Sequence, residues 1–286
     1  MDIIDFRCRP CTKDWVDFLS LPFQEAHVAR GKAFKGLDLT IQGPQDLVKE
    51  MDDAGVKVGV ILGRDIESTL GWRWENEKIL DFVEKFPDRF IGYAGIDPNK
   101  KMEAVREIDR ASALGLKGVS IDPFLSKTRI NDKTMYPIYA KCVEYEFPIV
   151  ITTGMSPWGG DWAYMKWCKI MDVDEVATDF PELKIICSHA GFPWVWEMLS
   201  IAVRHENVFI ETSGISGYYR FLGGAQPYYE AANTVLKDRF VFGSAKPYGP
   251  IKAAAELMKK EPYEPEILRM IFYKNAARIL KLPIQE

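Results

Sequence analysis

The sequence predicts an α/β fold and, within that class, a closed (β/α)8 TIM barrel. Three observations carry this. Short runs rich in β-branched residues alternate with stretches of helical period along the chain. There are eight such units, and this alternation means parallel strands joined by right-handed crossovers. No glycine-rich dinucleotide fingerprint follows the first strand, which argues against the alternative, a six-stranded open sheet.

Strands are predicted at residues 3–6, 56–62, 90–96, 116–122, 148–153, 183–188, 207–212 and 239–244. Helices are predicted at 44–54, 76–85, 102–114, 135–145, 173–180, 194–204, 228–237 and 266–280. The boundary chemistry agrees: Gly55, Gly115 and Pro148 punctuate helix-to-strand turns, and Phe86-Pro87-Asp88 stops a helix before a strand. No low-complexity linker or internal repeat divides the 286 residues, and α/β barrels routinely reach about 250 residues as one domain, so a single domain over 1–286 is expected.

Composition excludes several function classes. Apolar residues are 47% and charged residues 27%, ordinary for a folded chain and unlike a disordered one. A net charge of −4 without a basic block argues against nucleic-acid binding. The start MDIIDF lacks the pattern of a secretory signal, and no apolar run approaches the roughly 20 residues that span a bilayer, so no membrane association is expected. Five scattered cysteines argue against a disulfide framework, and a cytoplasmic protein is expected. Only three histidines are present, His27, His189 and His205.

In a barrel, function sits in the loops after the strands. Three of these are long, at 10–43, 155–171 and 214–227, and they carry Trp15, Phe23, Trp158, Trp162, Tyr164, Trp167, Tyr218, Tyr219 and Phe221. Such loops suggest a partly apolar pocket under a lid, although for most of these aromatics packing of loop to barrel or subunit to subunit is the better reading.

The motifs now carry a resemblance. Ile3-Ile4-Asp5-Phe6 at the first strand and Ser188-His189-Ala190-Gly191 after the sixth occur in order with Asn207-Val208-Phe209-Ile210-Glu211-Thr212-Ser213, Phe242-Gly243-Ser244 and Asn275-Ala276-Ala277-Arg278-Ile279-Leu280. Together they resemble the amidohydrolase superfamily, in its amidohydrolase-2 branch of decarboxylases, lactonases and hydratases. In that family the first strand ends in His-x-His, two ligands of a catalytic zinc or manganese ion, with a histidine on the fifth strand and an aspartate after Gly-Ser on the eighth. Here those places hold Arg7-Cys8-Arg9, Thr152 and Ala245. Only the histidine of the sixth strand survives, as His189.

Zinc needs about four ligands with lone pairs, and guanidinium has none, so no metal and no other cofactor is expected at the usual position. The counter-reading is a relocated metal on His189, Glu211 and His27. Strand alternation places Asp5, Arg7 and Arg9 on one face, where a guanidinium needs a carboxylate from the protein or from a ligand. Arg7 and Arg9 are therefore expected to hold an anion and to stabilise developing negative charge. His189 is the candidate general acid or base, with Glu211 as a further catalytic candidate. Arg64, Asp122, Thr152, Trp158, Ser213, Lys246 and Tyr248 are expected to line the substrate site, with Lys246 paired to substrate or to Glu211. Cys8 and Cys11 have CxxC spacing, but without a second such pair the motif reads as packing.

These residues suggest a metal-independent hydrolase, lyase or isomerase of a small carboxylate-bearing molecule. The alternatives are a catalytically inactive protein that binds such an anion or a protein partner, and a metal-dependent hydrolase or decarboxylase with moved ligands. Relatives are often dimers, and a homodimer is compatible with the tryptophan content.

Overall fold

The computed structural model describes residues 1–154, 164–216, 220 and 222–283. Ten strands are seen among them: β1 (Ile3–Asp5), β2 (Val56–Leu62), β3 (Arg64–Ile66), β4 (Trp72–Trp74), β5 (Phe90–Gly95), β6 (Val119–Ile121), β7 (Ile149–Thr152), β8 (Ile185–Ser188), β9 (Val208–Glu211) and β10 (Phe240–Val241). Eight form one parallel sheet in the order β1-β2-β5-β6-β7-β8-β9-β10. The ends meet where Phe6 N donates to Phe242 O at 2.8 Å and Cys8 bridges Lys246 in parallel, so the sheet closes into the predicted barrel.

Alternation along the strands sorts the core into two layers. Ile4, Val60, Leu62, Tyr93, Val150, Ile186, Phe209 and Val241 form an inner cluster with Ala276, Ala277 and Ile279 of the last helix. Ile61, Ile121, Ile151, Cys187, Ile210 and Phe242 belong to a second cluster shared with the surrounding helices. Cys8 joins this outer cluster, as its reading as a small apolar residue implies. Two residues beyond the inner apolar layer the same face turns polar: Arg64 follows Leu62, Thr152 follows Val150, Ser188 follows Ile186 and Glu211 follows Phe209. All four are buried. The mouth of the barrel is thus a polar layer on an apolar floor.

Three departures from the predicted elements bear on this mouth. The segment 10–43 is largely helical, with helices at Lys13–Leu19 and Glu25–Lys35. Thr12 caps the first of these by accepting from Trp15 N, and the helix buries Trp15, Phe18 and Leu19. Next, β3 and β4 form an antiparallel hairpin after β2 that lies outside the barrel order. Finally, β1 ends at Asp5 and a turn follows at residues 6–7. Strict alternation therefore does not run to Arg9. Asp5 Oδ1 instead caps the turn, accepting from the backbone N–H of Arg7 at 3.0 Å and of Ser244 at 2.9 Å.

The hairpin packs so closely on β5 that Gly95 has no room for a side chain. A Cβ there would lie 2.2 Å from Arg64 N and 2.5 Å from Arg64 Cα, both backbone atoms that cannot move cheaply. Gly95→Ala is predicted to destabilise the fold by about 1–3 kcal/mol or more, read as a lower urea midpoint at unchanged m-value.

Candidate active site

Three arginines converge at the mouth, all buried: Arg7, Arg9 and Arg64. Arg64, where the chain leaves β2, donates from Nε to Asp122 Oδ2 at 2.6 Å, and Thr152 Oγ1 donates to Asp122 Oδ1 at 2.6 Å. Burial alone would raise the Asp122 carboxyl, but the guanidiniums of Arg64, Arg9 and Arg7 outweigh it and hold it well below the usual carboxylate range. Burial pulls Arg64 down, and Asp122 with Tyr248 more than reverses this.

Arg7 and Arg9 have neutral partners. Arg7 Nη1 donates to Ser188 Oγ at 2.7 Å, and Arg9 Nε donates to the Leu62 carbonyl at 2.8 Å. Arg7 Nε and both Arg9 Nη atoms are buried without a hydrogen-bond partner among the described residues. Burial, with Arg64 and Arg7 alongside, pushes Arg9 well below the usual guanidinium range. Trp15 lies over both cations, its ring centroid 5.2 Å from Arg9 Cζ and 5.0 Å from Arg64 Cζ, and Phe18 lies 5.3 Å from Arg64 Cζ.

His189 stands at the end of β8 in a tight left-handed turn, with φ of 58° at His189, 52° at Ala190 and 64° at Gly191. Two of these are not glycine, so the turn is strained and depends on its surroundings. Tyr228 donates to the Ala190 carbonyl, and Gly154 lets the end of β7 approach, since a Cβ there would lie 2.4 Å from His189 Cβ. The imidazole Nδ1 lies 2.8 Å from Ser213 Oγ and 3.3 Å from the Ser213 carbonyl. Ser213 Oγ donates to Glu211 Oε2 at 2.8 Å, and His189 N donates to the same oxygen at 3.3 Å.

The structure thus brings Arg7, Arg9, Arg64, Asp122 and Thr152 into one cluster, with Glu211, Ser213 and His189 in a second. Ser188, which bonds Arg7 and precedes His189, links the two. Lys246 turns elsewhere: its ammonium is held by Glu50 Oε2 at 2.8 Å and Oε1 at 3.1 Å, not by Glu211. Tyr248 stacks on His27 at 4.7 Å between ring centroids. Trp158 lies outside the described residues. His205 pairs with Asp174 at 2.7 Å, away from the mouth. Sequence reasoning missed Ser188, Phe18 and Glu50. The alternation that places Ile186 inward signals Ser188, whereas nothing local marks Glu50.

Among the described residues no three His, Cys, Asp or Glu side chains are grouped so as to hold a metal ion. No described helix is long and apolar enough to cross a membrane.

A parallel eight-stranded barrel with its polar layer at the strand ends defines the class, and comparison supplies the family. The amidohydrolase family model matches residues 26–282, and the chain belongs to that family. An uncharacterized TIM-barrel protein from Bordetella bronchiseptica is 27% identical over 98% of this chain and 99% of its own, with a TM-score of 0.81. The 5-carboxyvanillate decarboxylase of Sphingomonas paucimobilis is 18% identical over 99% of each chain, with a TM-score of 0.71. A dihydroxybenzoic acid decarboxylase from a Polaromonas species, solved with manganese and the inhibitor 2-nitroresorcinol, is 16% identical over 98% of this chain and 97% of its own, with a TM-score of 0.72.

Burial pushes the Asp5 carboxyl up to about 6 from 3.8, against the hydrogen bonds it accepts around Ser244 and Arg7. A raised carboxyl pKa means that the folded state binds the proton more tightly. Its contribution is complete below pH about 4 and is lost as pH rises through about 6. Asp5→Asn is predicted to remove a stability decrease of about 3 kcal/mol between pH 4 and 7, measured by chemical denaturation of both proteins across that range.

Proposed function

We propose that this chain is a metal-independent enzyme acting on a small carboxylate-bearing substrate, in which Arg9 and Arg7 bind the carboxylate and His189 moves a proton. The reading rests above all on the state of the arginines. Arg7 and Arg9 are buried but, among the described residues, form no ion pair with a carboxylate, and an uncompensated buried cation is costly. The two Nη atoms of Arg9 offer the planar fork that a carboxylate fits bidentately. Had these arginines been fully paired within the protein, a filled and inactive mouth would be the better reading.

The side chains present do not fit a divalent cation. The places where the family carries ligands hold Arg7, Arg9, Thr152 and Ala245. Guanidinium presents protons where a metal needs lone pairs, and Thr152 already donates to Asp122. Positive charge still faces the mouth, now from groups fixed by covalent structure. A developing oxyanion beside Arg7 would be stabilised without metal-activated water. Trp15 and Phe18 cover the cations and exclude solvent, which strengthens that effect.

A guanidinium fork stabilises a carboxylate where it stands, so the bound carboxylate serves as a handle and bond change occurs elsewhere in the substrate. This favours proton-transfer chemistry: lactone or ring hydrolysis, elimination or isomerisation. Decarboxylation is the second reading, favoured by the several aromatic-acid decarboxylases among the structural relatives.

Two measurements test the proposal. In calorimetric titrations of chelator-treated protein with benzoate, hydroxybenzoates and aliphatic dicarboxylates, at least one ligand should bind, and Arg9→Met should weaken it by about tenfold or more. Equal binding by the variant removes Arg9 as the anchor. In turnover screens of the ligands that bind, His189→Asn should lower kcat by about 10²–10⁴ while the ligand still binds, and unchanged kcat removes His189 from the mechanism.

A further inference from the structure

We propose that Glu211 and Ser213 act as a positioning relay that sets the tautomer of His189, leaving Nδ1 protonated and Nε2 as the nitrogen that exchanges a proton with substrate. The inference rests on the reading of His189 as the proton-transfer group and adds the residues through which that group is controlled.

The direction of each hydrogen bond follows from chemistry. The Ser213 carbonyl, 3.3 Å from His189 Nδ1, can only accept and adds a long, weak preference for a hydrogen on Nδ1, while the shorter contact to Ser213 Oγ decides it. Glu211 Oε2, 2.8 Å from Ser213 Oγ, accepts as a carboxylate oxygen, so the serine hydrogen points to it. A lone pair of Oγ is then presented to Nδ1, at 2.8 Å. The Nδ1 hydrogen is shared between Oγ and the more distant carbonyl, and the chain reads Nδ1–H to Oγ–H to Oε2. In a neutral imidazole with Nδ1 protonated, the basic lone pair is on Nε2. When Nε2 takes a proton, the charge on the ring is answered by Glu211 through the serine hydroxyl.

Glu211 is held rigidly enough to do this. Its side chain is fully buried and it accepts from Ser213 N, Ser213 Oγ and His189 N. One carboxylate therefore ties the turn after β8 to the turn after β9. The strained backbone at His189 and Ala190 points the same way, because such conformations survive where neighbours hold the residue in place. A carboxylate that merely knitted two loops would not need the hydroxyl aligned between itself and the ring. Glu211 is on this account a positioning residue.

The three histidines of the chain make a direct test practical. Full-length protein labelled with ¹⁵N-histidine gives three imidazoles, and loss of one set of signals in His189→Asn assigns the third. Above the imidazole titration range, wild-type His189 should be the Nδ1–H tautomer. In Glu211→Gln the amide can donate to Ser213 Oγ, which turns the hydroxyl towards Nδ1, so the tautomer should switch to Nε2–H. Unchanged His27 and His205 signals report an intact fold. With a substrate in hand, kcat should fall about 10- to 100-fold at nearly constant KM, less than the loss of the acid–base group itself. Ser213→Thr, which keeps a hydroxyl, should retain the wild-type tautomer. Where Glu211→Gln does not fold, Ser213→Ala cuts the same link and should lower the His189 titration midpoint by about one pH unit.

An Nε2–H tautomer in the wild type overturns the relay, as does a tautomer unchanged in Glu211→Gln or a midpoint unchanged in Ser213→Ala. These readouts need no substrate. Failure of the relay is therefore distinct from failure of the catalytic reading, which full turnover in His189→Asn would signal.

Discussion

The contact on which the mouth of this barrel depends is the buried bond between Arg64 and Asp122. Asp122 is the carboxylate around which three guanidiniums gather, and Thr152 occupies its second oxygen. Removing one member of such a pair leaves an uncompensated charge in the interior and commonly costs several kcal/mol. Because Asp122 is already satisfied by Arg64 and Thr152, little of its capacity is left for Arg9 or Arg7. The two arginines nearest the end of β1 therefore remain buried cations with neutral partners. The anion-binding role proposed for the site rests on that shortage of carboxylates.

The architecture explains how the mouth tolerates this. Trp15 and Phe18, on a helix in the segment after β1, face the cations, and Trp15 packs in turn on Trp72 and Trp74 of the hairpin. Aromatic faces stabilise cations they cannot neutralise. On the other side, Ser188 passes from the arginine cluster to His189, whose ring is fixed by Ser213 and Glu211. The arginine proposed to bind the anion and the histidine proposed to move the proton thus meet through adjacent residues, Ser188 and His189, of one strand end.

Much of this was legible in the sequence. Eight short β-branched runs separated by helical stretches marked all eight barrel strands, because period-2 and helical patterns are read locally. The hairpin escaped notice because its strands are three residues each and joined by a short helical turn, without a recognisable two-residue turn. The helices within 10–43 leave little trace in the sequence, since Pro22 and Gly31 interrupt the segment and its apolar residues follow no clear stripe. Within the site, the placement of Arg7, Arg9, Arg64, Asp122, Thr152, His189 and Glu211 near strand ends was visible from the strand boundaries and motif spacing, although alternation does not carry through the turn to Arg9. Partnerships across the barrel were not: Lys246 with Glu50, Arg7 with Ser188 and Ser213 with His189 depend on three-dimensional closure, which single-strand patterns do not encode.

The departure from the metal-binding pattern and the buried cations are two sides of one argument, and metal content tests it most directly. Untagged, purified protein would be measured by inductively coupled plasma mass spectrometry, as isolated and after incubation with zinc and manganese followed by desalting. The account predicts far less than one equivalent of metal in every sample. One tightly held equivalent would contradict it: the ligands would then have moved, and the arginines could not occupy the position assigned to them.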